Sequence, residues 1–120
     1  MDGLHELLGI EIVDAEPDSA RVELQADDRH LNGHGTVHGG ALATLIDAAM
    51  GMAVRREDTD DGAPVTIEMK VTYLEPAQPG RLIAEASVRR RGKRIIIAEV
   101  DVTDAESNAV AHGIGTFTSV

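Results

Sequence analysis

Two hydrophobic periods divide the chain. Over residues 65–74, Val65, Ile67, Met69, Val71 and Tyr73 alternate with Thr66, Glu68, Lys70 and Thr72, the period of a strand with one buried face. Leu82, Ala84, Ala86 and Val88 repeat the pattern, and residues 95–103 and 109–119 add two more strands. PAQPG, RGK and DAESN supply the turns between them. From residue 37 or 38 to residue 57 the alternation is lost. That stretch has no proline and many good helix formers, with apolar residues on nearly every side, the mark of a helix enclosed by protein. A polar loop, EDTDDGAP, ends it. Upstream, residues 3–8 predict one or two helical turns with Leu4, Leu7 and Leu8 as the apolar face. Residues 10–15 and 20–24 then read as short strands, turned by Glu16, Pro17, Asp18 and Ser19. Three consecutive strands joined by short turns form an antiparallel meander. One apolar helix with about six strands predicts an α+β layer protein, a curved sheet wrapped around the helix. No internal repeat or low-complexity segment interrupts this order.

Composition adds bounds. At 120 residues and 42% hydrophobic, residues 1–120 are expected to form one domain with one core. There are no cysteines, which removes disulfides and thiolate chemistry. No charged region precedes an apolar core at the N-terminus, and the apolar run 41–54 is too short to span a bilayer. A cytoplasmic protein is expected. The formal charge of −10, from 21 acids and 11 bases, repels nucleic acid and anionic membranes. An acid-rich, lysine-poor chain also suits concentrated salt, where self-repulsion is screened within a few ångströms, so a halophilic source is expected. Arg89, Arg90, Arg91, Lys93 and Arg94 form the one dense basic cluster.

The chemistry concentrates in NGHGTVHGGALATLIDAAMG, residues 32–51. The first turn of a helix presents free N–H groups and the positive end of the dipole. Glycine there lets a ligand approach the backbone closely, which suits an anion or an oxyanion developing on a carbonyl. Gly39 and Gly40 are candidates for that role, and close packing is the competing explanation. Asp47 is one acid in the most apolar segment. An enclosed carboxylate must be paired or functional, and desolvation in general moves carboxylates toward values useful for base work. Capping a loop or pairing with an arginine is the structural alternative. Gly39 and Asp47 are eight residues apart, about 12 Å along one helix, so both cannot readily serve one carbonyl from the same chain. If they cooperate, the acid comes from a second copy, and the site is shared in a dimer.

His30, His34 and His38 recur at intervals of four, but Gly33 and Gly35 disfavour a helix there, and no carboxylate sits at a familiar ligand spacing. No metal is expected, and His30 and His34 are expected to be solvated. His5 and His112 carry no usable pattern. No nucleophile elbow, P-loop or dinucleotide fingerprint is present.

AsnGlyHisGlyThrValHisGlyGlyAlaLeuAlaThrLeuIleAsp resembles the signature of hotdog-fold acyl-CoA thioesterases of the phenylacetate-degradation (PaaI-like) group. The similarity continues into ValThrIleGluMetLysValThrTyrLeuGluProAla and covers nearly the whole chain. The resemblance implies a thioesterase that hydrolyses an acyl- or aryl-CoA to free acid and CoA. It makes Asp47 the general base or nucleophile and the Gly39 N–H the oxyanion donor. Asn32 and His38 match residues that orient water and polarise the substrate, and Thr66 stands where a related subgroup carries a serine hydroxyl. It also implies dimers pairing edge to edge with acid and glycine from opposite subunits, and further assembly into tetramers. No cofactor is implied, because coenzyme A enters as part of the substrate. Arg89, Arg90, Arg91 and Lys93 are then candidates for its phosphates, with simple charge balance as the alternative. Leu42, Ile46, Met50 and Val65 would line an acyl tunnel, or equally form ordinary core. The other readings are a non-catalytic acyl-CoA-binding module and a hotdog hydratase. The hydratase uses an Asp and His pair in a different motif, which is not found here.

Overall fold

Helix and strands fall where the two periods place them, with informative shifts at their ends. The computed structural model describes residues 2–56 and 62–119; the helix expected to reach residue 57 ends at Val54, where Arg55 turns extended as its cap, and most of the loop after it lies outside the described residues. The chain runs α1 (Gly3–Leu8), β1 (Ile10–Glu16), β2 (Ser19–Ala26), a 3-10 turn (Asp28–His30), α2 (Gly39–Val54), β3 (Pro64–Tyr73), β4 (Gly80–Arg91), β5 (Ile96–Asp104) and β6 (Ala109–Ser119). All strand pairs are antiparallel, in the spatial order β1-β2-β4-β5-β6-β3. β4, β5 and β6 form the expected meander. PAQPG, however, makes a crossing connection: β3 leaves the sheet's edge beside β6, and β4 begins three strands further in, beyond β6 and β5 and next to β2.

α2 lies against the sheet and touches all six strands. Leu45, Ile46, Ala49, Met50 and Ala53 are completely buried on it. Close approach to β6 depends on two glycines. A Cβ at Gly113 would lie 2.7 Å from Ile46 Cγ2, and one at Gly115 would lie 2.8 Å from Met50 Cε. Enclosure, expected on nearly every side of the helix, is incomplete along one stripe. Gly40, Ala43, Thr44, Asp47 and Gly51, at helical spacings of three and four, are only partly covered or exposed within the chain.

The even alternation expected in β3 also fails. The register slips between Thr66 and Glu68, where Ile67 forms a bulge. Before the slip Thr66 is the partly buried residue and Val65 is exposed; after it Met69 and Val71 point inward. Val65 (39% exposed) and Ile67 (54%) therefore lie outside the core on the sheet's edge strand. α1 forms as expected but buries none of its residues, and Leu4 and Leu7 remain exposed.

At the far end of α2, Asp18 occupies the β1–β2 turn in a left-handed conformation (φ 68°). Its carboxylate accepts from Arg56 Nη2 (3.0 Å) and Arg91 Nη2 (2.8 Å), and Arg91 also donates to the Val54 carbonyl (2.9 Å). Arg91 thus fastens the C-terminal end of the helix to the sheet, where the dipole favours a cation.

Candidate functional site

The loop before α2 is built by side chains bonding to their own backbone. Asn32 Oδ1 accepts from the N–H groups of His34 (2.8 Å) and Thr36 (3.3 Å), and its amide donates to Thr36 Oγ1 (2.9 Å). Its carbonyl oxygen is thus filled by the loop, and among the described residues its amide makes one hydrogen bond of the two it can donate. His30 corrects the expectation of a solvated ring. It is 2% exposed, its Nδ1 accepts from the Asp27 N–H (3.0 Å), and its Nε2 donates to the Leu8 carbonyl (2.6 Å). It pins the loop to the end of α1. His34 is exposed, as expected.

His38 is not the first helical residue but the cap. Its Nδ1 accepts from the Gly40 N–H at 2.8 Å, which leaves Nε2 free to donate outward from an exposed ring. Gly40 was expected to bind substrate, yet its N–H is already committed to His38. Among the described residues nothing accepts from the N–H of Gly39. The helix start therefore offers one open donor rather than two.

Asp47 lies two turns further along, on the partly covered stripe. Thr66, turned inward by the bulge in β3, donates its hydroxyl to Asp47 Oδ1 at 2.6 Å, a charge-assisted bond. The strand's alternation alone placed Thr66 among the outward polar residues. Among the described residues the hydrogen-bond partner found for the Asp47 side chain is the Thr66 hydroxyl, not an arginine.

The cavities separate these groups. Asp47 borders one of about 600 Å³ together with Gly51, Met52, Thr66, His5 of α1 and Asp2, which caps that helix. Gly39 borders another of about 340 Å³ with Val37, Leu42 and Tyr73. Neither cavity contains both candidates. The expected tunnel lining is also redistributed. Ile46 and Met50 are core against β6, Val65 is exposed, and Leu42 borders the cavity at Gly39.

The basic cluster divides. Arg89 (3.6 Å from Glu99), Arg90 and Lys93 are exposed, whereas Arg91 is committed to Asp18 and Val54. That commitment corrects the phosphate-binding role expected of Arg91. None of the four borders the cavities at Asp47 or Gly39; Arg55 and Arg56 border the first. Among the described residues no group of three or more His, Cys, Asp or Glu is placed to hold a metal, and no helix is long and apolar enough to cross a membrane.

Sequence reasoning passed over Tyr73, whose hydroxyl donates to the Gly39 carbonyl at 2.8 Å. The one available signal was its being the chain's sole tyrosine at the end of a strand. Nothing local ties it to a glycine 34 residues upstream.

A six-stranded antiparallel sheet around one central helix, with an acid on the helix and an open donor at its start, is the hotdog class. The chain belongs to the thioesterase superfamily, whose family model matches residues 34–111, and within it to the PaaI-like type. It is a thioester hydrolase. A Halobacterium salinarum protein named as an esterase is 41% identical over 126 residues, covering 96% of this chain and 83% of its own length. Human acyl-coenzyme A thioesterase 13 is 36% identical over 107 residues, 87% of this chain and 75% of that protein. The solved structure of the Escherichia coli PaaI protein from the phenylacetic acid degradation operon superposes with a TM-score of 0.91 at 28% identity, over 99% of this chain and 85% of that one.

Proposed function

We propose that this chain hydrolyses acyl- or aryl-CoA thioesters in a site shared by two copies. The observation that carries the reading is the separation of two half-sites on one chain. Asp47 with Thr66 lies at one cavity, and the single open donor of Gly39 lies at another. β3 runs past both, with Thr66 near its start and Tyr73 at its end, and it is an edge strand with exposed Val65 and Ile67. Two copies pairing antiparallel through β3 bring the Asp47 half of one to the Gly39 half of the other.

In that arrangement the thioester carbonyl oxygen receives the Gly39 N–H, which stabilises the negative charge of the tetrahedral intermediate. Asp47 either takes a proton from a water that attacks the carbonyl carbon, or attacks it directly and expels the CoA thiolate. The second route leaves a mixed anhydride that water then cleaves. His38 Nε2 and the second amide N–H of Asn32 orient the reactants. The acyl or aryl group occupies the cavity beside Asp47, and exposed Arg89, Arg90 and Lys93 receive CoA phosphates. The acidic balance, together with the Halobacterium relative, supports function in concentrated salt.

The test is thiol release from short, medium, long and aryl CoA thioesters, at low and high salt, by wild type and Asp47→Ala. Wild type is expected to release thiol, and Asp47→Ala to be slower by roughly a hundredfold or more. Full activity in Asp47→Ala sinks the site assignment. No release from any thioester by wild type at either salt sinks the substrate class.

A further inference from the structure

The start of α2 is clamped one peptide group at a time. The His38 carbonyl accepts from the N–H groups of Ala41 (2.9 Å) and Leu42 (3.3 Å). The next peptide group is held at both ends. Its N–H, that of Gly40, donates to His38 Nδ1 (2.8 Å), and its oxygen, that of Gly39, accepts from the Tyr73 hydroxyl (2.8 Å). The Gly39 N–H belongs to the first of these groups, the peptide whose oxygen is that of His38, and has no acceptor among the described residues; the Gly39–Gly40 peptide adjoins it across the Gly39 Cα.

Tyr73 also fixes Gly39 by contact. A Cβ at position 39 would lie 3.2 Å from Tyr73 Cζ and 3.3 Å from its hydroxyl oxygen. A side chain at position 39 would therefore press on the tyrosine ring, which would have to give by a few tenths of an ångström. The ring is about half exposed and contributes little to the core. Its one polar contact is to the peptide adjoining the open donor.

We propose that Tyr73 is a positioning residue for the oxyanion donor. Its hydroxyl holds the Gly39–Gly40 peptide so that the neighbouring Gly39 N–H stays aimed at the thioester carbonyl oxygen. The inference rests on the reading of Gly39 as that donor. A donor already oriented does not have to reorganise as charge develops, so its effect falls on the chemical step rather than on substrate binding. β3 then carries one hydroxyl for each half of the site: Thr66 sets the acid and Tyr73 sets the donor.

The test is Tyr73→Phe, which keeps the ring and removes the hydroxyl. Kinetics on a CoA thioester are combined with amide NMR of full-length protein bound to a CoA ketone analogue, in which a methylene replaces the thioester sulfur. For wild type, the Gly39 amide proton is expected to move downfield on binding the analogue. In Tyr73→Phe that shift shrinks and kcat falls about fivefold, roughly the worth of one hydrogen bond, with KM and melting temperature little changed. Wild-type kcat in the variant, or an undiminished Gly39 shift, overturns the role of Tyr73 while leaving Gly39 as donor. Absence of any Gly39 shift in wild type overturns the donor reading and this inference with it. Tyr73→Leu is the second variant: if it and Tyr73→Phe lose kcat equally, the hydroxyl is the operative group, and a loss confined to Tyr73→Leu assigns the effect to ring packing and refutes the proposal.

Discussion

The Asp47 carboxylate sits among alanines and methionines, where one short hydrogen bond decides its orientation. Thr66 supplies that bond at 2.6 Å, from a strand whose bulge turns the hydroxyl toward the helix. Thr66→Val keeps the shape and removes the donor. It is expected to lower kcat about tenfold with a smaller change in KM, since the carboxylate loses a charge-assisted bond that sets its rotamer. Thr66→Ser, with the hydroxyl kept, is expected to stay within about threefold of wild type. Steady-state kinetics on a CoA thioester decide it, and an unimpaired Thr66→Val would make the hydroxyl incidental. Asp47 itself was legible from sequence because an acid in an apolar helix is conspicuous. The burial of His30 was not, because it depends on the Leu8 carbonyl, 22 residues away in sequence. Arg91 was misread for a similar reason. It shares a run of bases with Arg89, Arg90 and Lys93, but its side chain crosses to Asp18 and Val54.

At the scale of elements, the helix and all six strands were readable, because a period of two and its absence are properties of the chain itself. Their pairing was partly readable. Short turns specify the β4-β5-β6 meander, whereas the place of β3 beside β6 is set by how the sheet closes over α2. The bulge at Ile67 left no mark in an otherwise regular alternation, so the phase of β3 was misread, and with it the exposure of Val65. Gly113 and Gly115 in β6 are explained by packing against α2. Gly113→Ala would place a Cβ 2.7 Å from Ile46 Cγ2 and 3.0 Å from Val100 Cγ1, so the helix or the strand must move. Overpacking of this kind destabilises by about 1–3 kcal/mol. A lowered denaturation midpoint in urea is the expected result; unchanged stability would show that α2 does not press on β6 as described.

At the scale of the whole molecule, the distribution of functional groups makes a prediction that no single substitution can test. Each chain holds its acid and its open donor at different cavities, about 12 Å apart along α2. In the proposed dimer a second copy related by a two-fold axis would unite them, giving two sites per dimer, each drawing Asp47 from one chain and Gly39 from the other. Asp47→Ala removes the acid. Gly39→Val drives a side chain into the Tyr73 ring and so displaces the donor. Each variant alone is expected to be nearly inactive. After unfolding and refolding an equimolar mixture, half the dimers are hybrids. In every hybrid both defects fall in one site, which leaves the other intact. The mixture is thus expected to recover about a quarter of wild-type activity. If a chain completes its own site, every site in the mixture carries one defect, and activity stays near zero.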